Sequence, residues 1–306
     1  MKPRGYGPFR YVPIKNRPKL SWPNGARLAL WVIPNIEYFN LEDPMPGDSL
    51  ERPSRDKAKI PDVRHWAIRE YGNRVGIWRI MEVLSRHGIR ATVALNSKIC
   101  DHQPQIVEEG MSLGWEFMGH CEENMVRTNE VPADRERQLV ADTFATIERK
   151  TGKRPVGWLG AGLAETWNTL DHLIAEGCLY VAEWLCDDQP FVMDVDGKRI
   201  VSIPYSYETN DSPAFYRHKG STEDFETMMR QQFDTLYREG ADSGRVMAIA
   251  LHPYVMGVPH RIGALDRALE YICSHPGVWR ATGREIIEHY LEAPENAEHR
   301  KALGPA

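Results

Sequence analysis

The chain has 306 residues, of which 42% are hydrophobic and 26% are charged, and its formal net charge at pH 7 is −5. This composition is typical of a globular protein, and the length suits one large α/β domain. Because the net charge is negative, it provides no general attraction for nucleic acid or for an anionic membrane, and we expect neither as a partner.

Two features of the sequence bear on its compartment. No stretch approaches the roughly 20 apolar residues that a membrane-spanning helix needs, and the N-terminus lacks the apolar core of a signal peptide. The five cysteines are an odd number and form no Cys-x-x-Cys pair, which favours reduced thiols over a disulfide framework. We therefore expect a cytoplasmic protein.

The two ends of the chain differ in composition from the middle. The first twenty residues are basic, contain no acidic residue and are interleaved with prolines and aromatics. This pattern predicts an extended arm over residues 1–25 that packs on the body or on a neighbouring subunit, so we expect a homo-oligomer. Residues 293–306 are polar and predict a frayed tail.

From about residue 26 the sequence alternates between strand-like and helix-like stretches. The run 27–35 is continuously apolar, as expected of a strand that is covered on both faces, and Gly88 is placed to end a helix over 73–87. About seven such units without a linker predict one domain over 1–306 that forms a closed or nearly closed barrel of parallel strands; an open doubly wound sheet is the alternative. The remaining predicted strands are 90–96, 115–120, 156–159, 179–184, 245–254 and 278–282, and the remaining helices are 103–113, 134–150, 166–176, 222–239, 262–274 and 284–291.

One segment interrupts this alternation. Residues 191–207 contain an Asp196-Gly197 pair between two β-rich runs, which predicts an inserted β-hairpin. No GxGxxG or phosphate-loop motif follows any predicted strand, so the sequence gives no support for a nucleotide cofactor.

Polar residues recur where predicted strands end, which is where parallel barrels carry their reacting groups. Asn35 and Glu37 follow the first strand on one side of it, because side chains alternate along a strand. His120 ends the third strand, and Asn124 follows four residues later. Asp187 and Asp188 follow the fifth predicted strand, and His252 ends the penultimate one. The recurrence of these groups at one rim, rather than any single residue, indicates a site.

Taken singly, each of these residues also has an ordinary structural interpretation. A glutamate after a strand is commonly a helix cap or a surface group, and the Asp187-Asp188 pair before a proline is typical of a turn. Cys121 beside His120 raises the alternative of a thiol nucleophile, but the spacing indicates no Cys–His pair. Aromatic residues near the rim could stack on a ring-shaped substrate or simply pack; they are Tyr38, Phe39, Tyr71, Trp184 and Tyr254.

Several stretches resemble the polysaccharide deacetylase family, and most closely its allantoinase- and cyclic-imide-hydrolase-like members. The most specific is IALHPYVMGVPHRI (249–262), and the resemblance covers about residues 20–292. It implies a distorted (β/α) barrel, often of seven strands, and deacetylation or hydrolysis of a cyclic amide. The other stretches are PNIEYF (34–39), REYGNRVGIWR (69–79), MGHCEEN (118–124) and EWLCDDQPF (183–191).

The resemblance also implies roles for particular positions. Metal-dependent members carry an Asp-x-Asp, whose first residue is the base and whose second binds zinc; these positions match Asn35 and Glu37. Their His-x-x-x-His supplies two further zinc ligands and matches His120 and Asn124. A later Leu-His supplies the general acid and matches His252. The arginine of the family's third motif has no counterpart in WLGAG (158–162).

These departures have chemical consequences. Asn35 has no titratable carboxylate and cannot be the base, and the Asn124 amide is a poor zinc ligand. Glu37 and His120 are then the only two good ligands, one fewer than a catalytic zinc site normally has. We therefore expect either no metal or a weakly bound divalent metal, most readily zinc, with Asn124 as a weak third ligand.

These residues suggest a mechanism for amide hydrolysis. We expect Glu37 to orient or deprotonate the water and His252 to protonate the leaving nitrogen, since a free imidazole pKa of about 6.5 suits proton donation near neutral pH. Asp187 or Asp188 would hold that imidazole or bind substrate N–H groups. The expected substrate-binding residues are His120 and Asn124, which polarise the carbonyl, Arg74, which contacts a carbonyl or carboxylate, and Asn35, Trp184 and Tyr254.

The predicted activity is hydrolysis of a non-peptide C–N amide bond. The expected cytoplasmic location and the branch of the family favour a small cyclic ureide, an imide or an N-acyl compound as substrate. One alternative is a metal-dependent deacetylase of N-acetyl sugars or polysaccharides. A second is a non-catalytic relative that binds glycans or small molecules, against which His252 and the acidic pair argue.

Overall fold

The strands form a curled, mainly parallel sheet. The structure, a computed structural model, describes residues 1–45 and 60–304. Every predicted strand is present, although most are shorter than predicted. The strands are β1 (Leu28–Ile36), β2 (Thr92–Leu95), β3 (Glu116–Gly119), β4 (Gly157–Trp158), β5 (Tyr180–Val181), β6 (Phe191–Val195), β7 (Lys198–Ser202), β8 (Arg245–Leu251) and β9 (Val278–Arg280).

The order of the strands is that of a barrel. Neighbours follow the path β6-β7-β5-β4-β3-β2-β1-β8, in which only the β6–β7 pair is antiparallel, and β9 pairs in parallel with β1. The path therefore contains seven mutually parallel strands and lacks the reversal of a doubly wound sheet. Beyond β7, the Ala250 N–H donates to the Thr209 carbonyl at 2.9 Å, which brings the two edges together. The predicted barrel-type fold is confirmed as a curled half-barrel.

Helices cover the outer face of the sheet, and two of them begin with a capping box. Ser221 and Asp224 satisfy each other's backbone N–H groups at the start of α7 (Thr222–Glu239), and Thr282 and Glu285 do so at the start of α10 (Gly283–Glu292). Within the described ranges, no helix combines the length and apolar character needed to cross a bilayer. The helices are α1 (Val63–Tyr71), α2 (Ile77–Arg86), α3 (Ile99–His102), α4 (Pro104–Ser112), α5 (Ala133–Thr151), α6 (Thr169–Ala175), α7 (Thr222–Glu239), α8 (Pro253–Met256), α9 (Ile262–Cys273), α10 (Gly283–Glu292) and α11 (Ala297–Leu303).

Alternation along β1 divides the core into two layers. Leu30 faces outward into the layer that packs against the helices, whereas Trp31 and Ile33 lie in the layer inside the curl. All nine residues of β1 are buried, which explains why its sequence is continuously apolar. The inward-facing positions of β1 continue past Ile33 to Asn35 and Glu37, so both side chains point to the mouth of the half-barrel.

The helical region after β1 is longer than predicted. It begins at α1 and runs through a π-helical turn (Gly72–Gly76) into α2. A Cβ atom on Gly76 would lie 2.1 Å from the Pro253 carbonyl oxygen, so glycine allows this turn to approach the loop after β8 closely. This approach brings α1 to the rim.

The predicted hairpin is present but is not an insertion. Asp196 (φ 52°) and Gly197 (φ 86°) form the two-residue turn between β6 and β7. However, β7 also pairs in parallel with β5, so the hairpin is part of the main sheet, and β7 ends at Ser202 rather than at 207. The segment that follows β7 turns toward β8.

The arm packs on the body, and the predicted frayed tail is wrong. Leu20 and Trp22 of the arm are buried. Near the other end, α11 is helical and buries His299 and Leu303, and the His299 ring contacts the Gln189 side chain at 3.1 Å. Apolar contacts with the hairpin order this polar sequence, which composition alone does not reveal. Residues 305–306 lie outside the described residues.

Candidate active site

Inward-facing positions of three strands lead to one rim. Met118 in β3 and Ala250 in β8 belong to the inner layer, so His120 and His252, two residues further on, also face inward. With Glu37, they line a cavity of about 260 Å³ at the carboxyl end of the sheet. The structure therefore brings together three of the residues that the sequence analysis assigned to the site.

The Glu37 carboxylate lies between the two imidazoles. Its Oε1 atom is 3.8 Å from His120 Nε2 and 3.7 Å from His252 Nε2. The three residues are 7%, 3% and 9% exposed, respectively. In such a shielded place charge interactions are stronger than in bulk water. These three groups form the chemical centre of the site.

Interactions with both imidazoles keep Glu37 ionised. Burial alone would raise the pKa of this carboxyl, but the interaction with His120 and the positive charges of His252, His120 and Arg69 outweigh burial and hold the pKa below 4.5. Among the described residues, none hydrogen-bonds to Glu37 Oε2. This oxygen is buried and belongs to a residue that lines the cavity, so it is available to accept a hydrogen bond from water or substrate.

His252 is held by Asp211, which the sequence analysis did not identify. Asp211 Oδ1 lies 2.7 Å from His252 Nδ1, and Oδ2 accepts the His252 backbone N–H at 2.7 Å. Burial raises the pKa of Asp211, although the contact with His252 opposes this effect. Asp211 follows β7 in a segment without a recognisable motif. The backbone of the preceding residue, Asn210, pairs with Ala250 of β8, and this pairing brings Asp211 next to His252.

The expectation that Asp187 or Asp188 holds the His252 imidazole is therefore wrong. Asp187 forms a two-pronged ion pair with Arg17 of the arm, with N–O distances of 2.6 and 2.7 Å. Asp188 is exposed and borders a separate cavity beneath the arm. The Asp188 carbonyl accepts the Val246 N–H at 2.9 Å near the start of β8, so this acidic pair lies away from the end of β8 that carries His252, and Asp211 is the carboxylate beside that imidazole.

His120 has its ring orientation set by the next strand. Its Nδ1 atom contacts the Leu159 carbonyl oxygen, and a carbonyl can only accept a hydrogen bond, so Nδ1 carries a proton. In the neutral ring Nε2 carries the lone pair that faces Glu37, whereas the protonated ring, which lowers the pKa of Glu37, presents an N–H at the same place. The Asn96 amide donates to the His120 carbonyl and accepts the Tyr38 N–H at 2.9 Å, which ties the ends of β1, β2 and β3 together.

Two predicted substrate contacts lie elsewhere. Arg74 is exposed on the π-helical turn and is not among the described residues that line the cavity. Arg69, one helical turn earlier, lines it instead, with its guanidinium 4.9 Å from the centre of the Phe39 ring and 5.7 Å from that of Tyr254. Trp184 packs against the arm rather than the cavity. Which of the two arginines faces the cavity depends on how the π-helical turn rotates the helix, and the residue that faces the cavity is Arg69.

The other four predicted contacts line the cavity: Asn35, His120, Asn124 and Tyr254. The buried Asn35 amide lies 3.3 Å from the Tyr205 hydroxyl and 3.3 Å from the Leu251 carbonyl, so it joins strand ends and is not placed as a base. The Asn124 backbone N–H donates to the Tyr38 carbonyl at 3.1 Å, and its half-buried side chain faces the cavity.

Cys121 does not have the properties of a nucleophile. It is completely buried in an apolar cluster, and burial raises the pKa of its thiol to about 12. The reactive form of cysteine is the thiolate, which is disfavoured under these conditions. Cys121 is therefore not activated to act as a nucleophile.

An acidic pair lies behind the rim. The Glu183 carboxylate accepts the backbone N–H groups of Gly160 and Ala182, and the nearby Glu165 accepts the Trp184 indole N–H at 3.2 Å. Burial raises the pKa of Glu183 to about 7 despite the two backbone contacts. Burial and the charge of Glu183 raise the pKa of Glu165 well above its ordinary value.

The raised pKa of Glu183 predicts a pH-dependent stability. A carboxyl titrating near 7 in the folded protein and near 4.5 in the unfolded chain keeps its proton longer when folded, so its contribution to stability is lost as pH rises from about 4.5 to 7. Glu183→Gln should remove that decline, roughly 3 kcal/mol in the free energy of unfolding at most. Urea unfolding across this pH range measures it, with exposed Glu298→Gln as the control. Identical slopes in wild type and Glu183→Gln would contradict the prediction.

Comparisons with known proteins agree with this architecture. No family model matches the chain. A Schizosaccharomyces pombe protein, provisionally assigned as a polysaccharide deacetylase, is 26% identical over 305 residues, which cover 90% of this chain and 93% of that protein. The crystal structure of Puue allantoinase superposes with a TM-score of 0.82 at 26% identity, over 92% of this chain and 95% of that one. A Pseudomonas aeruginosa PAO1 structure, also provisionally a polysaccharide deacetylase, gives 0.80 at 26% identity, over 91% and 96% of the two chains.

The fold of this chain is that of the polysaccharide deacetylase family, as the sequence resemblance implied. The site combines a buried ionised carboxylate with two imidazoles, one of them backed by a second carboxylate. The chain is a hydrolase of the deacetylase type, which acts on carbon–nitrogen bonds other than peptide bonds.

The resemblance implies a divalent metal in many family members, and Glu37 with His120 is compatible with holding one. Within residues 1–45 and 60–304, no group of three or more His, Cys, Asp and Glu side chains is arranged to hold a metal ion. Asn124 stands where a third strong ligand would be needed, and an amide is a poor zinc ligand. The residues therefore do not fit a tight three-ligand zinc site, and we derive the chemistry from the side chains alone.

Supplying the missing ligand should create a tighter metal site. Asn124→His would add an imidazole to a cavity that already holds Glu37 and His120, so zinc affinity should rise by at least about 10-fold. Competition with a zinc-binding dye measures the affinity and the stoichiometry. The control is Asn16→His, which adds an exposed histidine outside the cavity. Equal zinc affinity in the two variants would show that Asn124 does not stand at a ligand position.

Proposed function

We propose that this protein hydrolyses an amide bond of a small cyclic ureide or imide. The observation that carries the proposal is the placement of Glu37 Oε1 within 3.8 Å of both His120 Nε2 and His252 Nε2 in one cavity. This arrangement offers an acceptor for a water proton and a donor for a leaving nitrogen side by side in the same small space, 3.7 Å apart.

Glu37 and His120 activate the water. The ionised Glu37 accepts a proton from a water molecule, and the Nε2 lone pair of neutral His120 accepts the other hydrogen, so the water oxygen is aimed at the substrate carbonyl carbon. Because His120 Nδ1 is committed to Leu159, a neutral His120 has no proton to offer the carbonyl oxygen. Its expected role in polarising the carbonyl therefore passes to the Asn124 amide.

His252 protonates the leaving nitrogen. With Asp211 at Nδ1 and Glu37 near Nε2, two carboxylates favour the charged imidazolium. As the carbon–nitrogen bond of the tetrahedral intermediate breaks, the Nε2 proton moves to the nitrogen, which leaves as a neutral amine or amide. Asp211 keeps the ring oriented throughout, as a carboxylate does in other acid–base pairs.

Three observations favour a small cyclic substrate. The cavity of about 260 Å³ is slightly smaller than the usual range for ligand sites and suits a single planar ring. The aromatic rings of Phe39 and Tyr254 border it and can flank such a ring. The similarity in fold to a protein whose structure is described as an allantoinase extends over nearly the whole chain.

Deacetylation of N-acetyl sugars is the second candidate, favoured by relatives named as polysaccharide or peptidoglycan deacetylases. Turnover of allantoin, hydantoin, succinimide and N-acetylglucosamine oligomers, each with added zinc or with chelator, separates the two. Ring opening that persists with chelator supports the proposal. Release of acetate only with zinc supports the sugar deacetylase. Binding without turnover of any compound, in both conditions, would identify a non-catalytic relative.

A further inference from the structure

The peptide group that joins Leu159 and Gly160 is hydrogen-bonded at both ends. Its C=O accepts the proton of His120 Nδ1, and its N–H donates to Glu183 Oε1. The second oxygen of Glu183 accepts the Ala182 N–H at 3.0 Å, which fixes the carboxylate against β5. A continuous chain of hydrogen bonds thus runs from a carboxylate, through one peptide group, to an imidazole of the site.

The two imidazoles of the site are therefore backed in different ways. His252 has Asp211 directly at Nδ1, whereas His120 has a carboxylate one peptide group away. Hydrogen bonds in series polarise one another, so a negative charge at the Gly160 N–H makes the Leu159 carbonyl oxygen a stronger acceptor. Glu183 can thereby do for His120 part of what Asp211 does for His252.

His120 needs such support because two acceptors compete for its proton. A neutral imidazole carries one N–H, and Glu37 faces Nε2 while the Leu159 carbonyl faces Nδ1. An ionised carboxylate is ordinarily the stronger acceptor, which would place the proton on Nε2. A proton on Nε2 would remove the lone pair that accepts the water. Because Glu183 polarises the Leu159 carbonyl and the fold holds this carbonyl beside Nδ1, the proton is favoured on Nδ1 rather than on Nε2.

The close approach of the peptide and the carboxylate depends on glycine. A Cβ atom at position 160 would lie 2.7 Å from the Ala164 carbonyl oxygen and 3.2 Å from Glu183 Oε1. The first contact is closer than real Cβ atoms tolerate, so a side chain here would displace the rim backbone. The series of hydrogen bonds from Glu183 to His120 therefore depends on glycine at position 160, which leaves room for the Glu183 carboxylate.

We propose that Glu183 is a positioning residue for His120, acting through the Leu159–Gly160 peptide group to keep the imidazole proton on Nδ1 and the Nε2 lone pair toward Glu37. The part played by the lone pair rests on the proposed function, but the position of the proton does not. The two can therefore be tested separately.

The position of the proton is measured by NMR of ¹⁵N-histidine-labelled, chelator-treated protein at mildly alkaline pH, with His120 assigned from a His120→Asn variant. Wild type should show the Nδ1–H tautomer. Glu183→Ala should move His120 toward Nε2–H, and Glu183→Gln, which keeps one acceptor oxygen, should lie between. The matched control is Glu116→Gln, which alters another half-buried carboxylate that accepts a backbone N–H, but at the opposite end of the sheet. It should leave the His120 signal unchanged.

Turnover provides the second readout. Because His120 acts on water rather than on substrate, Glu183→Ala should lower kcat by about 10-fold to 100-fold with little change in KM, and Glu183→Gln should restore part of it. A wild-type tautomer in both Glu183 variants overturns the proposal, as does an equal change in Glu116→Gln. If the tautomer shifts as expected while wild type hydrolyses none of the tested amides, the proposed function fails and the role of Glu183 in positioning stands.

Discussion

His252→Ala should lower kcat/KM for the ring-opening reaction by about 10²-fold to 10⁴-fold, because the leaving nitrogen loses its proton donor. Asp211 contacts both the ring Nδ1 and the backbone N–H of His252 at 2.7 Å, so proton donation depends on the ring orientation that Asp211 sets. Asp211→Asn should therefore reduce turnover as well, since an amide cannot stabilise the imidazolium. Steady-state kinetics with the best substrate of the panel measure both effects.

The matched control for His252 is His260→Ala. His260 is an exposed histidine of the same loop region that does not line the described part of the cavity, and its removal should leave kcat/KM within about 2-fold of wild type. Full turnover by His252→Ala would remove the general acid from the mechanism. Full turnover by Asp211→Asn alone would reduce Asp211 to a structural contact.

Glu37→Gln should lower turnover to a similar extent, by about 10²-fold to 10⁴-fold, because the amide cannot accept the proton of the water. The substitution preserves the shape of the side chain, so the loss should fall on kcat more than on KM. It also removes the negative charge that faces both imidazoles at 3.7–3.8 Å. We expect the variant to remain folded, since Glu37 Oε2 makes no hydrogen bond within the described structure.

Glu42→Gln tests whether the loss is specific to the site. Glu42 is exposed on the loop after β1, five residues beyond Glu37, and should be replaceable without effect on turnover. If Glu37→Gln retains the activity of wild type, the carboxylate is not the base. The water would then have to be activated by His120 alone, and the position of its proton would become the decisive property of the site.

The local sequence patterns determined the strand ends and the direction of their side chains. Alternation along β1 and β8 sends Glu37 and His252 to the inner side of the sheet, and this follows from a two-residue period that is written into the sequence. The position of His120 follows in the same way from the end of β3, whereas Asn124 lies in the loop beyond it. Parallel strands share one carboxyl rim, so these residues could be assigned to one mouth of the barrel before the structure was known.

The partners of these residues were decided only by the tertiary structure. Asp211 meets His252 across 41 positions in sequence, and Glu183 reaches His120 through a peptide group of a third strand. The periodicity of a single strand does not encode such contacts between distant residues, because they depend on the path of the loops beyond the rim. For the same reason Asp187, which lies beside a strand end in sequence, turned out to pair with Arg17 of the arm.

The same distinction between local sequence signals and tertiary contacts applies to the rest of the chain. The boundaries of α7 (Thr222–Glu239) agree with the sequence because its capping box and apolar face are local signals. The α11 helix was missed because its order comes from burial of His299 and Leu303 against distant residues. Sequence alone thus determined which side chains face the inside of the curl, through the periodicity of strands. Only the closed tertiary structure decided which carboxylate lies beside which imidazole, since that depends on contacts between residues far apart in the chain.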